Sequence, residues 1–327
     1  MRAVRGTTAI EGAELTEEEA LQIALAAPDK PVLPPNRRRD EQEARNANDL
    51  MRFIMASLRQ EPSQPLTEAL IRRFHELVTQ DIDYGKNVPG VFRSHPVSAG
   101  VYLPPASGED VSRLMRELVT WLNVGTPSQW DPVIRAVIAH FYVLSIHPFG
   151  DGNGRTARGV ESFYLYQAGV NARGFYSLAN YYYRNRSEYV RLLGHVRFET
   201  EGDLTPLIAF ALQGLVEELE SVHAEVLVQV RIISFRDYAR ETLLDQGKLG
   251  SKVGERLFHL LLGVAGEPVS VENLRGGGHP LARLYRGVGP RTLARDLKFL
   301  EEQGLVIRRD DDILANFDAI GQFTAER

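Results

Sequence analysis

His147-Pro148-Phe149-Gly150-Asp151-Gly152-Asn153-Gly154-Arg155-Thr156-Ala157-Arg158 is the stretch around which the chain organises. Before it, Pro132 to Ile146 is apolar nearly all round, with only Arg135, His140 and Ser145 clearly polar. A helix of that kind belongs in the centre of its domain. After Arg155, the run through Phe163, Tyr164, Leu165 and Tyr166 is again mostly apolar. Two buried helices therefore flank a loop in which Gly150, Gly152 and Gly154 alternate. Glycine lets the backbone turn sharply and lets a ligand come close. A helix restarting near Asn153 or Gly154 presents amides without intrahelical partners, and these amides and the helix dipole together form an anion site. Arg155 and Arg158, three apart, share a face beside it. Two arginines and a ring of amides suit a polyphosphate better than a single carboxylate. Asp151 offers a carboxylate where Mg²⁺ could bridge phosphate oxygens. His147 supplies an imidazole able to take a proton near neutral pH. A glycine loop alone is often only a turn, and a lone histidine is often a packed one. Here base, metal ligand, amide nest and two cations fall between residues 147 and 158. No Gly-Lys-Ser/Thr follows, so the loop is not a P-loop.

The chain around this motif has 327 residues, enough for two or three domains. Its composition, 43% hydrophobic and 25% charged, is that of a soluble globular protein. It contains no cysteine, which excludes disulfides and thiolate zinc sites. There is no signal-like N-terminal run and no apolar stretch of membrane-spanning length, so a cytoplasmic location is expected. A net charge of −5 argues against a protein devoted wholly to coating nucleic acid.

The pattern predicts a mainly α fold in four segments. Residues 1–60 are charged and alanine-rich. Thr16 caps a helix through Leu25, and another helix spans Asp40 to Leu58. Residues 61–215 form the dense core, with a helix over Thr67 to Thr79, a β-hairpin over Val91 to Leu103 and a helix marked by Val111, Met115, Leu118 and Leu122. A connecting helix over 216–249 follows, reached from Leu207. Residues 250–327 hold a helix near Glu255 to Leu261, an extended piece at Pro268 to Val271, a helix over Gly289 to Val306 and a hairpin over Ile307 to Phe317. His140, inside the buried helix, is taken as structural.

The motif resembles the His-Pro-Phe-x-Asp-Gly-Asn-Gly-Arg-x-x-Arg signature of the Fic (filamentation induced by cAMP) family, matching it without gap or substitution. Phe92-Arg93-Ser94 to Pro104-Pro105 resembles that family's hairpin flap, and Ser187-Glu188-Tyr189 and Gly202 to Leu207 its later helices. The likeness covers most of residues 1–215. It implies a protein adenylyltransferase, an enzyme that moves AMP from ATP to a hydroxyl of a target protein. His147 would be the catalytic base and Asp151 the Mg²⁺ ligand. Phe149, Gly150, Asp151, Gly152, Asn153, Gly154 and Arg155 would form the nucleotide-binding stretch, with Arg158 on the γ-phosphate. Tyr189 is placed at the adenine, and Val101 and Tyr102 on the target. Where many members carry an asparagine before Glu201-Gly202-Asp203, this chain reads Arg197-Phe198-Glu199-Thr200, and no role is carried over.

Thr7-Thr8-Ala9-Ile10-Glu11-Gly12 fits the family's inhibitory pattern Ser/Thr-x-x-x-Glu-Gly/Asn, in its N-terminal-helix version. The resemblance implies that Glu11 pairs with Arg158 and takes it from the γ-phosphate. Removal of AMP, or ATP sensing by a transcription regulator, are the alternative activities. The family's phosphotransferase branch has an altered motif, and the intact Gly152 and Arg158 argue against it. The last segment resembles a winged helix-turn-helix, with Arg291, Arg295 and Lys298 on one face. Asp310, Asp311 and Asp312 in its hairpin favour a protein-facing role over DNA. The expected partners are thus ATP and a target protein bearing a Ser, Thr or Tyr hydroxyl. No membrane partner is expected, DNA is the less favoured partner, and a homodimer is a candidate assembly.

Overall fold

A computed structural model describes residues 2–27, 29–170 and 177–321. They divide into two compact units, Met1–Val222 and His223–Arg327. The first contains α1 (Arg2–Ile10), α2 (Glu17–Leu25), α3 (Arg38–Gln60), α4 (Glu68–Thr79), α5 (Gly108–Val124), α6 (Pro132–Ile146), α7 (Asn153–Gln167), α8 (Leu178–Arg184), α9 (Arg186–Phe198) and the start of α10 (Thr205–Asp245). The amphipathic stretches became helices, α2 with the expected Thr16 cap. Thr16 and Glu19 close a reciprocal capping box on α2, and Thr67 accepts the Leu70 amide at the head of α4. The all-apolar α6 lies against α7 in the centre, and α3, α4 and α5 pack around the pair. Leu50, Ile71, Phe74, Met115, Leu122 and Phe163 are fully buried in this core. Each such side chain contributes on the order of 1.5–3 kcal/mol, so truncating Leu50 to alanine would cost roughly 2–5 kcal/mol.

The first 60 residues form no body of their own. Val4, Thr7, Thr8, Ala9 and Ile10 are buried, because α1 lies against α3, α7 and α8. The helix expected to connect from residue 216 begins earlier, at Thr205, and its two halves fall in different units. A second correction concerns Val91 to Leu103. In place of a β-hairpin there is a single antiparallel bridge between Ala99 and Tyr102, closed by reciprocal backbone bonds of 2.9 and 3.1 Å. Pro96, Pro104 and Pro105 flank it and have no amide to extend a ladder.

The second unit is built from the end of α10, α11 (Lys252–Gly266), β1 (Val269–Ser270), α12 (Val271–Gly276), a 3₁₀ turn (Pro280–Tyr285), α13 (Pro290–Glu302), β2 (Val306–Arg309) and β3 (Asp312–Ala315). The strands form one antiparallel sheet in the order β1-β3-β2, with Val269 opposite Ile313 and Arg308 opposite the same residue on the other side. Phe235, Leu243, Leu260, Leu261, Leu297 and Ile313 fill its core. Among the described residues no helix is long and apolar enough to cross a membrane.

Candidate active site

His147 stands at the C-cap of α6 in the left-handed region, at φ 51°. Non-glycine residues seldom adopt that conformation, histidine less seldom than most, and such backbone gathers at functional sites. Arg93 holds the residue there. Its buried guanidinium donates to the carbonyls of His147 (2.7 Å), His95 (2.8 Å) and Pro105 (2.7 Å), and its own amide donates to Pro148 O at 2.9 Å. Nδ1 of His147 lies 3.2 Å from Leu144 O. A carbonyl only accepts, so Nδ1 carries the hydrogen and Nε2 keeps its lone pair. Burial lowers the pKa of His147, aided by Arg93 and Arg197, against the opposing Leu144 bond. The neutral, proton-accepting form therefore holds at neutral pH.

The loop that follows is tied from below. The His75 ring stacks on Phe149 at 3.6 Å, with Nε2 at 3.0 Å from Asp151 O, while Nδ1 accepts the Gly90 amide at 2.9 Å. The Phe149 ring is fully buried, so it anchors the loop from within. Asn153 is likewise buried. Its amide closes a ring with Phe149 N and O at 2.9 and 3.0 Å. Asn87 Oδ1 takes the Asp151 amide at 3.0 Å, beside Gly150. Gly152, at φ 71°, is the N-cap of α7, and no side chain caps that end. Only glycine accepts this conformation cheaply. The first α7 amides are thereby presented outward.

Both motif arginines are buried and engaged. Arg155 Nη1 donates to Tyr84 Oη at 2.5 Å and lies 3.5 Å from Glu43, with Asp151 at 3.6 Å from Nη2. Tyr84 in turn donates to Glu43 at 2.9 Å, and burial pushes its phenol up to about 12. Arg158 Nε donates to Thr7 Oγ1 at 2.7 Å. Its Nη2 donates to Thr7 O at 3.0 Å and to Glu11 Oε1 at 2.6 Å. Thr7 lies on α1, and Glu11 sits in the turn just after it. Burial acts to raise the Glu11 pKa, but Arg158 overrides it and holds the carboxyl below its ordinary value. Gly154 makes room for this approach, because a Cβ there would strike Glu11 Oε1.

One cleft collects these groups. Glu11, Val101, Tyr102, His147, Arg158 and Tyr189 all line it. Val101 is fully exposed at the flap tip, while Tyr102 is anchored, donating to Ser145 O at 2.9 Å beneath Arg197 at 4.2 Å. Tyr189 is mostly core. It stacks on Tyr182 at 4.7 Å and meets His140 Nε2 at 2.9 Å, and His140 Nδ1 lies 2.9 Å from Glu161. The sequence reading named Thr7 only as the first residue of the inhibitory pattern, and it missed Glu43, His75, Tyr84, Asn87 and the bonding of Arg93. Thr7 alone of these had a local signal, its four-residue spacing from Glu11, and that spacing is the one the pattern uses.

The helical core presents a histidine at the end of α6, a glycine turn, and two arginines on α7. Residues 65–165 match the family model described as Fic/DOC family. The protein adenylyltransferases Fic of Drosophila ananassae and Drosophila melanogaster are each 34% identical over 160 residues, 49% of this chain and 29% and 30% of theirs. The chain thus spans under a third of the length of the curated relatives it matches. Fic-1 (aa134–508) of C. elegans superposes with a TM-score of 0.53 at 26% identity, covering 68% of this chain and 62% of that one. A Fic family protein from Desulfovibrio desulfuricans G20, at 20% identity and a TM-score of 0.54, covers 96% of this chain and 85% of that one, a likeness of fold. Over residues 65–165 the chain is thus similar to the Fic/DOC family.

Proposed function

We propose that the chain is a protein adenylyltransferase, restrained by Glu11. The observation that carries this reading is the single cleft bounded by His147, Arg158, Glu11 and the flap. A target hydroxyl held beneath Val101 and Tyr102 gives its proton to Nε2 of His147. Its oxygen bonds to the α-phosphorus of ATP as the bond from that phosphorus to the bridging oxygen breaks. AMP stays on the target and pyrophosphate leaves. The α7 amides of Asn153 and Gly154, with Arg155, hold the α- and β-phosphates, and Arg158 the γ-phosphate. Tyr189 borders the base.

Asp151 fits the Mg²⁺ that accompanies the nucleotide. Its carboxylate is 48% exposed, Oδ1 takes the Gly152 amide, and Oδ2 has no protein partner among the described residues. No group of three acidic, His or Cys side chains that could hold a metal occurs among those residues. Asp151 would hold the ion together with the nucleotide's phosphates, where it would neutralise developing charge.

Restraint follows from Arg158. Every bond it makes to Thr7 and Glu11 uses a donor that the γ-phosphate would need. For the second unit, we propose a winged helix. The order α11-β1-α12-α13-β2-β3 with β3 central supports it. Mass spectrometry of the Glu11→Gly form after incubation with Mg-ATP and lysate tests the enzyme reading. A gain of AMP on protein supports it. ATP bound but unchanged assigns the cleft to sensing, and loss of AMP from a modified target assigns it to removal.

A further inference from the structure

In the first unit, Arg37, Arg45, Arg73, Arg113, Arg158 and Arg191 pair with acids, while the scattered Arg52, Arg59 and Arg116 are exposed and form no ion pair among the described residues. In the second, Arg275, Arg283, Arg286, Arg291 and Arg295 are exposed, and among the described residues none forms an ion pair. The acid among them in sequence, Asp296, is buried and committed to Arg256 at 2.8 Å. These five guanidiniums fall within one short stretch of a chain with net charge −5, and of them Arg275 lies near enough to Asp311 to help hold that carboxyl below its ordinary value.

They are also arranged. Arg275 and Arg286 line a cleft of about 600 Å³ between the end of α12 and the start of α13. Arg291 and Arg295, with Lys298, follow on the exposed face of α13, opposite the buried Leu293, Leu297 and Leu300. Glu301 and Glu302 balance only the far end, where Glu302 lies 3.7 Å from Lys298 and Glu301 3.2 Å from Arg308. The hairpin aspartates oppose this charge less than their number suggests. Asp311 accepts from Ser270 Oγ at 2.6 Å and from the Glu272 amide at 3.0 Å, tying the hairpin to the start of α12. Arg308 and Arg309 precede the turn.

We propose that this arginine face, from Arg275 to Arg295, binds the phosphate backbone of duplex DNA. A planar guanidinium matches phosphate in fork geometry, and a helix with its N-terminal half basic and exposed can approach a groove. The inference stands apart from the AMP-transfer reading.

The test is fluorescence anisotropy of a labelled random-sequence duplex titrated with the full chain. With three phosphates neutralised, affinity falls about 40-fold between about 50 and 200 mM NaCl. Arg286→Ala/Arg291→Ala/Arg295→Ala weakens binding at least about tenfold at the lower salt and flattens the salt slope. The matching triple lysine variant retains binding, since phosphate contact needs charge, which separates lost contact from lost fold. Arg73→Ala/Arg113→Ala/Arg191→Ala, an equal charge change on the first unit, leaves it unaltered. No anisotropy change at about 100 µM protein and low salt overturns the proposal. So does an unaltered alanine triple variant, or binding to polyglutamate without binding to duplex, which would mark an acidic protein as the partner.

Discussion

Glu11 and Arg158 lie 147 positions apart in the chain, and their charged groups meet at 2.6 Å. The arginine is 3% exposed and the glutamate side chain 35%, so the pair sits at the cleft wall with solvent on one side. A hydrogen bond between charged groups contributes about 1.5–3 kcal/mol, less where water screens it. Glu11→Gly should therefore raise the initial rate of label transfer from ATP to protein by about tenfold or more, without altering the fold. An unchanged rate with ATP binding intact would show that Arg158 is not what limits the nucleotide.

Thr7 makes a second, separable contribution. Its hydroxyl accepts from Nε of Arg158 at 2.7 Å, while its carbonyl accepts from Nη2 at 3.0 Å. Thr7→Ala removes the first bond and leaves the second and the ion pair. One neutral acceptor contributes on the order of 1 kcal/mol, so transfer should rise about fivefold, less than for Glu11→Gly. Combining the two substitutions should give less than the product of their effects, because both act on one guanidinium. Equal effects of the two single variants would contradict this division.

The pH dependence follows from His147. Burial holds its pKa below the ordinary 6.5, while Glu11 acts to raise it. The base works neutral, so transfer is full above its pKa and is lost as pH falls through it. In Glu11→Gly, where the carboxylate is gone, the acid limb of the rate profile should lie below 6.5. His147→Ala should abolish transfer at every pH while leaving nucleotide binding. An acid limb at or above 6.5 would count against His147 as the titrating group.

The elements whose causes are local could be read from the chain. The all-apolar α6, the glycine turn into α7 and the Thr16 cap each depend on residues a few positions apart. The flap failed as a hairpin because alternation was weighed without the prolines that deprive it of amides. The supports of the site were not readable for another reason. His75 reaches Asp151 across 76 positions, Arg93 reaches His147 across 54, and Arg155 reaches Tyr84 across 71. In sequence each is an ordinary polar residue on a helix or loop, and only folding brings it beneath the motif.

His75 gives the last expectation, which concerns stability. It is fully buried, bonded at both nitrogens and stacked on Phe149, and burial lowers its pKa from 6.5 to about 4. Unfolded, the imidazole takes a proton below 6.5; folded, it does not until about 4. The unfolded state thus binds more protons in that window. The contribution is complete above pH 6.5, falls as pH drops towards 4, and changes no further below it. A shift of that size corresponds to roughly 3 kcal/mol. Both tryptophans, Trp121 and Trp130, lie in the first unit, so their fluorescence reports its unfolding without the second. Urea unfolding at pH 7 and pH 4.5 should show a steep loss for the native chain and a smaller one for His75→Gln, whose amide does not titrate. Carboxylates that lose their charge in the same range do so in both chains, and the difference between the two isolates the histidine. Equal losses would mean that His75 is protonated in the folded state, and its bond from the Gly90 amide would then have to be broken.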